Sequence, residues 1–197
     1  MIPLLSNTSK MPGKSWELPA VLSCPGAVVA PGSICAKCYG KRGHYPCPNV
    51  KNALLRRWQW FKDCSDDEFH EAMVEALDNE RWFRVNSNGD FPNVGAIYRW
   101  VRLATALPHV HFWVATRTWH LPWMLTALRK LADCPNVTVR PSSLFFNAPA
   151  PRVHGLHAGT TASTGGYNCP SSLQGGSCGM CRACWVSKSL PITYKKH

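Results

Sequence analysis

Acidic residues are scarce in this sequence relative to basic ones. The chain of 197 residues has 11 Asp and Glu against 22 Lys and Arg, and its formal net charge is +11. All the acids except Glu17 and Asp133 fall within residues 63–90. Most of the remaining surface is therefore expected to be positive, which favours a polyanionic partner such as nucleic acid or a phosphorylated ligand. Solubility and compensation of anionic clusters would explain the same charge.

Long apolar runs are also missing. No run approaches the length of a membrane span, and residues 1–7 lack the charged and apolar regions of a secretory signal. We therefore expect no membrane association and a reducing cytosol, in which cysteines bind metal rather than form disulfides. The patterns G-x-S-x-G, H-E-x-x-H and the P-loop do not occur either, so none of the sites built on them is indicated.

Cysteine, in contrast, is abundant, with ten residues that are densest near the C-terminus. Cys178, Cys181 and Cys184 form C-x2-C-x2-C, and Cys169 precedes them, directly before Pro170. Three such close thiols cannot all pair with one another, but they can surround a metal. This run plus a Cys-Pro is the ligand pattern of cubane clusters in bacterial ferredoxins, where the Cys-Pro follows the run. We predict a [4Fe–4S] cluster on these four cysteines, with tetrahedral zinc as the alternative.

A second group of cysteines lies in residues 1–50, which are rich in Gly, Pro and Ser and show little periodicity. Such a segment is expected to be extended and held in place by metal, because apolar burial alone would not offset its chain entropy. We predict that Cys24, Cys35 and Cys38 bind a second iron–sulfur cluster, with Cys47 as a candidate fourth ligand. A structural zinc site and a thioredoxin-like C-x2-C remain alternatives.

Regular secondary structure is predicted from residue 50 onwards. Leu54 and Phe61 belong to the apolar face of a first helix with a basic outer face. On that outer face we expect salt-sensitive nucleic-acid binding around Arg56, Arg57 and Lys62, with little sequence specificity.

Strands and helices then alternate along the chain. Residues 65–68 form a capping box for the next helix. The predicted strands are 82–85, 110–115 and 137–139, and the predicted helices between them begin at Val94 and Pro122. This alternation with short connections implies parallel strands, and therefore an α/β fold that is either a partial (β/α) barrel or an open parallel sheet.

We treat the chain as a single domain with three parts: an N-terminal cysteine segment (1–50), an α/β core (51–143) and a C-terminal cysteine segment (144–197). In a parallel sheet, ligands gather at the carboxyl ends of the strands. Asn88, Asp90 and Arg117 follow predicted strands and are the candidate catalytic residues. We expect the second cluster to face them, with Asp90 either orienting Arg117 or binding a cationic group.

Several motifs, taken together, resemble a known family. They are Leu18-Pro19, Cys24-Pro25-Gly26-Ala27, Cys35-x2-Cys38-Tyr39, Tyr45 with Pro48-Asn49-Val50, Asn88-Gly89-Asp90-Phe91, Trp113 with Thr116-Arg117, and the terminal C-x2-C-x2-C-Trp. The family is phage-encoded, rich in cysteine, associated with iron–sulfur binding and of unassigned function. The resemblance spans nearly the whole chain and implies a location in the host cytoplasm. Its members often have an aromatic residue at the position of Cys47.

A more distant resemblance is to the half-barrels of the radical-SAM superfamily. There a three-cysteine cluster with one open iron binds S-adenosylmethionine, and a Gly-rich acidic motif, comparable to residues 88–90 here, holds the methionine amine. The usual spacing is C-x3-C-x2-C, whereas ten residues separate Cys24 from Cys35 in this chain. The resemblance therefore implies cluster binding but does not extend to cleavage of S-adenosylmethionine.

Two main function classes follow from the sequence. The first is a binding or structural iron–sulfur protein, whose basic face meets a nucleic acid or a host protein. The second is a cluster-dependent enzyme that performs redox or radical chemistry at an open iron. We favour the first, because the spacing lacks the radical-SAM signature, and we keep a structural zinc protein as a further alternative.

Overall fold

An open five-stranded sheet forms the centre of the protein. The computed structural model describes residues 4–195. The strands lie side by side in chain order, the first pair antiparallel and the others parallel. They are β1 (Ser6–Asn7), β2 (Lys14–Glu17), β3 (Trp82–Asn88), β4 (His111–Thr116) and β5 (Val137–Pro141). The predicted α/β class is thus confirmed, and of the two architectures considered the open sheet is the one present.

Four helices pack against one face of this sheet. They are α1 (Pro48–Asp63), α2 (Asp66–Leu77), α3 (Val94–Ala106) and α4 (Pro122–Asp133). Their apolar stripes and the inward side chains of the strands, such as Phe83, Phe112 and Val139, form one buried core. The capping box at Ser65 is confirmed, because its hydroxyl accepts from the Glu68 N–H while the Glu68 carboxylate accepts from the Ser65 N–H. The helices and strands predicted from periodicity therefore exist.

Strand β2 corrects the prediction for the N-terminal segment. Residues 1–50 were expected to be extended and without a core of their own, yet β2 pairs with β3 in parallel, with Ser15 opposite Arg84. Trp16 and Leu18 are fully buried in the main core. Apolar burial therefore holds this part of the segment to the sheet.

The C-terminal segment covers the other face of the sheet. It contains a short helix, α5 (Ala183–Val186), and a small parallel sheet of β6 (Thr160–Thr161), β8 (Ile192–Thr193) and β7 (Tyr167–Asn168), in that order. Trp185 anchors this segment, because its indole N–H donates to the Phe83 carbonyl at 3.0 Å. The centre of its ring also lies 5.1 Å from the centre of the Trp113 ring. Residues 144–168 thus include two short strands.

Arg140 ties the same segment to β5. Its side chain is fully buried, and its guanidinium donates to carbonyl oxygens that the folded C-terminal segment brings together. The acceptors are the carbonyls of Ala158, Ala183, Cys184, Ser187 and Leu190. One side chain from the core therefore satisfies five carbonyl groups of the cysteine-bearing segment.

Within residues 4–195, no helix combines the length and apolarity needed to cross a membrane.

Candidate metal centres

The four C-terminal cysteines lie on short turns and in α5, the helix that packs beside β4 and β5. Cys169 precedes a single 3-10 turn, and its N–H donates to the Thr193 carbonyl of β8 at 2.8 Å. Cys178 is attached to the N-terminal segment, because its N–H donates to the Lys10 carbonyl at 2.8 Å. Cys181 follows on the next turn, and Cys184 lies in α5, directly before the anchoring tryptophan. Different backbone contacts therefore place each of the four residues.

Two tyrosine hydroxyls lie against these thiols. The Cys184 sulfur is 3.3 Å from the Tyr194 hydroxyl, and the Cys181 sulfur is 4.0 Å from that of Tyr167. The hydrogen bond to Cys181 raises the pKa of Tyr167, and the nearby charges of Cys181, Cys169 and Cys184 raise it further. Three of the four thiols therefore act electrostatically on a single phenol.

The thiols also act on one another. Burial raises the pKa of Cys184 to about 11, and the neighbouring Cys169 adds to the rise while Arg140 opposes it. Burial likewise raises the pKa of Cys178; Lys10 opposes that rise, and Cys169 and Cys181 add to it. The four sulfur atoms thus share one environment in which bringing together several thiolates is costly unless a cation is bound.

The sulfur atoms do not converge on a single point. Among residues 4–195, no three His, Cys, Asp or Glu side chains are arranged so that they could hold a metal ion. In a tetrahedral zinc site with bonds near 2.3 Å, sulfur atoms lie about 3.8 Å apart. The turn at Gly175 and Gly176 has φ of 61° and 83°, which glycine adopts without strain. The donor set has the thiol chemistry that a cluster or zinc requires, but binding either would require the turns to close further.

The N-terminal cysteine segment docks at the carboxyl ends of the strands, where it was expected. Gly26 lies against the backbone of Arg117, and an added Cβ would be 2.8 Å from that carbonyl oxygen. Gly40 lies against Asn88, with an added Cβ only 2.2 Å from its Oδ1. Both glycines are therefore required by close packing rather than by a turn.

The candidate ligands of this segment lie near these contacts. Burial raises the pKa of Cys24 to about 12, and the charges of Asp90 and Cys38 raise it further. Cys35 and Cys38 flank a single 3-10 turn and are half-buried. Cys47 is exposed and immediately precedes α1. Cys24 and Cys38 are thus electrostatic neighbours, and ligation by any of the four remains a prediction.

Asp90 occupies a different position relative to Arg117 from the one expected. Its carboxylate accepts from the backbone N–H of Arg117 at 2.8 Å, whereas the Arg117 guanidinium Nε donates to the Ser143 carbonyl at 3.1 Å. Further donors to Asp90 are the Thr116 hydroxyl at 2.7 Å and the Phe91 N–H at 2.8 Å. Asp90 therefore fixes the turn after β4, and its hydrogen bond to Arg117 is to the main chain, not to the guanidinium.

Replacing Asp90 with asparagine is expected to cost about 1–3 kcal/mol of unfolding free energy. An amide N–H₂ in place of Oδ2 would face the Arg117 N–H and leave it without an acceptor. Burial raises the pKa of Asp90, so the wild-type protein should lose stability as pH rises from the unfolded-state pKa through the higher folded-state value. Urea unfolding across acidic pH measures both effects. The exposed Asp133→Asn is the control, and an unchanged stability of Asp90→Asn would contradict this role.

A single cation acts on both cysteine segments. Arg84 of β3 lies over the Trp113 ring, 4.3 Å from its centre. Burial raises the pKa of Tyr39, which is next to Cys38 in the chain. Burial and the charge of Cys184 raise the pKa of Tyr194. The positive charge of Arg84 opposes both of these rises. Arg84 is therefore within electrostatic reach of the N-terminal and the C-terminal cysteine groups.

Arg57 corrects the expected nucleic-acid surface. It was assigned to the outer face of α1, but only 2% of its surface is exposed. Its guanidinium donates to the Glu17 carbonyl at 2.9 Å and to the Ser6 hydroxyl at 3.2 Å. Position 57 lies three residues after Leu54 and four before Phe61, so it shares their inward face. Arg57 thus holds α1 to β1 and β2, and Arg56 and Lys62 remain on the exposed surface.

Sequence comparison now identifies the family. The chain belongs to the Gene product 88 family, whose model matches residues 3–145. A numbered gene product suggests a phage origin and names no activity. The match includes the N-terminal cysteines and the sheet and ends before Cys169. Neither the curated proteins nor the solved structures contain a match to this chain.

Sequence reasoning missed several residues that shape these centres, namely Lys10, Arg84, Arg140, Tyr167 and Tyr194. One signal was present for Arg140, a charged residue that directly follows the buried Val137–Val139 in a strand. The tyrosines and Lys10 had no such signal, because turns far apart in the chain bring them to the thiols.

Proposed function

We propose that this protein binds iron–sulfur clusters that fasten its two cysteine segments to the α/β core. The C-terminal cluster is ligated by Cys169, Cys178, Cys181 and Cys184. The observation that carries the proposal is the shared environment of these four thiols. The pKa of Cys178 and the pKa of Cys184 are both raised, and other cysteines of the group contribute to each rise. Because ligation requires thiolates, cluster binding would release protons, and the bound iron would offset the repulsion between the neighbouring thiolates.

Surrounding groups also support a thiolate-bound cluster at this position. Lys10 and Arg182 act on Cys178, and Arg140 acts on Cys184, each favouring the ionised sulfur. Trp185 is buried beside the site and would exclude water from one side of it, a role that tunes cluster stability and potential.

The second part of the proposal concerns Cys24, Cys35 and Cys38. Their segment docks at the strand ends, where α/β proteins bind ligands, and the charge of Cys38 contributes to the raised pKa of Cys24. Three protein thiolates would leave one iron of a cubane accessible, which is the arrangement that an enzyme would use. Ligation by Cys47 as well would favour a binding or structural role.

Anaerobic purification tests the proposal. We expect iron and acid-labile sulfide in equal amounts and a broad visible absorption that bleaches on reduction. Two clusters would give twice the iron content of one, so the Cys35→Ala variant should halve it if the N-terminal group binds its own cluster. Stoichiometric zinc without sulfide, or protein free of metal with native stability, would overturn the proposal.

Nucleic-acid binding is a second proposed function, favoured by the exposed basic side chains of α1. The acids of α2 are partly neutralised within the fold, since Asp66 and Asp67 pair with Arg99 and Arg102 at 2.7 and 2.6 Å. The excess positive charge is thus left to other surfaces.

Replacing Arg56 and Lys62 together with alanine should weaken binding to single- and double-stranded nucleic acid at low salt. On duplex DNA, the slope of log affinity against log salt should fall by about 0.9 for each phosphate that the variant no longer neutralises. Fluorescence anisotropy over a salt series measures this, with the exposed Lys130→Ala as the control. An absence of binding by the wild-type protein at low salt would rule out this function.

A further inference from the structure

A groove opens between the N-terminal cysteine segment and α1, and no role has been assigned to it so far. Its volume is about 340 Å³, within the range typical of small-molecule sites. One wall is apolar and includes Leu22, Leu54 and Leu55. Leu22 is 59% exposed and Leu55 37% exposed, so large apolar side chains border the groove at the protein surface.

The charged residues that line the groove are both positive. Lys41 lies in the N-terminal cysteine segment, between Cys38 and Cys47, and Lys51 lies in the first turns of α1; both are exposed. No acidic residue belongs to the groove lining in the described part of the chain. Tyr45 also lines it, with its hydroxyl donating to Glu17 at 3.2 Å.

Asn88 provides an independent sign of a ligand. It lines the groove, yet only 2% of its surface is exposed. Its Nδ2 has no hydrogen-bond partner among residues 4–195. A buried amide N–H₂ without an acceptor costs about 1–3 kcal/mol. Gly40 contacts its Oδ1, so the amide is held in place while its donor remains unused.

From these features we infer that the groove binds a small amphipathic anion. The apolar body of the ligand lies against the leucine wall, its acidic group pairs with Lys41 and Lys51, and an acceptor atom receives the Asn88 N–H. Among the described residues that line the groove there is no cysteine, so the candidate cluster ligands do not form part of its wall.

Two fluorescent probes that differ by one acidic group test the inference. 8-Anilinonaphthalene-1-sulfonate carries a sulfonate, whereas N-phenyl-1-naphthylamine has the same aromatic body without it. The sulfonate probe should bind the full-length protein more tightly than the neutral one. In the Lys41→Ala/Lys51→Ala variant its affinity should fall about fivefold to tenfold, while that of the neutral probe is unchanged. The exposed lysines make this variant safe for folding.

Further variants localise the site. Asn88→Asp should weaken the binding of the sulfonate probe more than the binding of the neutral one, because a carboxylate replaces the amide donor. Lys62→Ala, which alters a separate groove beside Trp58, and Lys130→Ala on α4 should leave both probes unaffected. Equal affinities for the two probes in the wild-type protein would overturn the inference. So would an unchanged double-lysine variant, or a loss of sulfonate binding caused by Lys62→Ala instead.

Discussion

The Cys181→Ala variant is expected to lose the C-terminal cluster and, with it, about 4 kcal/mol or more of folding stability. Binding energy at a thiolate site is also folding energy, because the ligands are brought together only in the folded chain. Cys181 is the best position to change, since it is only half-buried and lies on a turn. Replacing Cys184, which directly precedes Trp185 in α5, would disturb the contacts of that tryptophan as well.

Iron and sulfide analysis together with thermal unfolding measures both effects. Cys134→Ala is the matched control, because this thiol is half-buried at the end of α4 and contacts only the Lys130 carbonyl, at 3.6 Å, among the hydrogen bonds of the described residues. It should keep the full metal content and change stability by about 1 kcal/mol or less. Full iron, sulfide and stability in Cys181→Ala would show that the C-terminal assignment is wrong.

Replacing Arg140 with methionine should destabilise the protein by about 3–5 kcal/mol, even though all ten cysteines remain. Methionine retains much of the apolar stem but leaves five carbonyl oxygens of the C-terminal segment without their buried donor. The segment should then detach from the sheet, and the iron of its cluster should be lost with it.

Limited proteolysis and iron content distinguish this outcome from a general loss of folding. Cleavage should appear first within residues 144–195, while the α/β core remains protected. Arg129→Met is the control, because within residues 4–195 Arg129 donates a single hydrogen bond to the same segment, to the His154 carbonyl at 3.0 Å. This variant should lose about 1 kcal/mol of unfolding free energy. An Arg140→Met protein with normal stability and resistance to proteolysis would contradict the role of this side chain.

The elements predicted with success all carry a local pattern. α3 and α4 repeat apolar residues at helical spacing, α2 has its capping box, and β4 is a short apolar strand between turn residues. In each case the signal lies within the element, because periodic burial and end capping are properties of neighbouring residues. Their order then indicated parallel strands and an α/β sheet.

The missed features depend on residues far apart in the chain. β2 contains one apolar residue, Trp16, and forms a strand because it pairs with β3. Arginine is usually a surface residue, but Arg57 is buried because it lies on the inward face of α1 and donates to the Glu17 carbonyl. Pairing partners of this kind are supplied by the fold, so the sequence pattern alone did not predict β2 and placed Arg57 on the wrong face of α1.

The sequence by itself determined the α/β class and the first residues of α3 and α4, and its cysteine spacing is the basis for predicting metal ligands. Those properties follow from short-range patterns of apolarity, capping and thiol spacing. Only the tertiary structure decided that the sheet is open and that the two cysteine segments share the influence of Arg84. It also decided that Asp90 holds the main chain of Arg117 and that Arg140 fastens the C-terminal segment. The physical reason is that buried polar groups must find partners, and those partners come from distant parts of the chain that only folding brings within hydrogen-bonding distance.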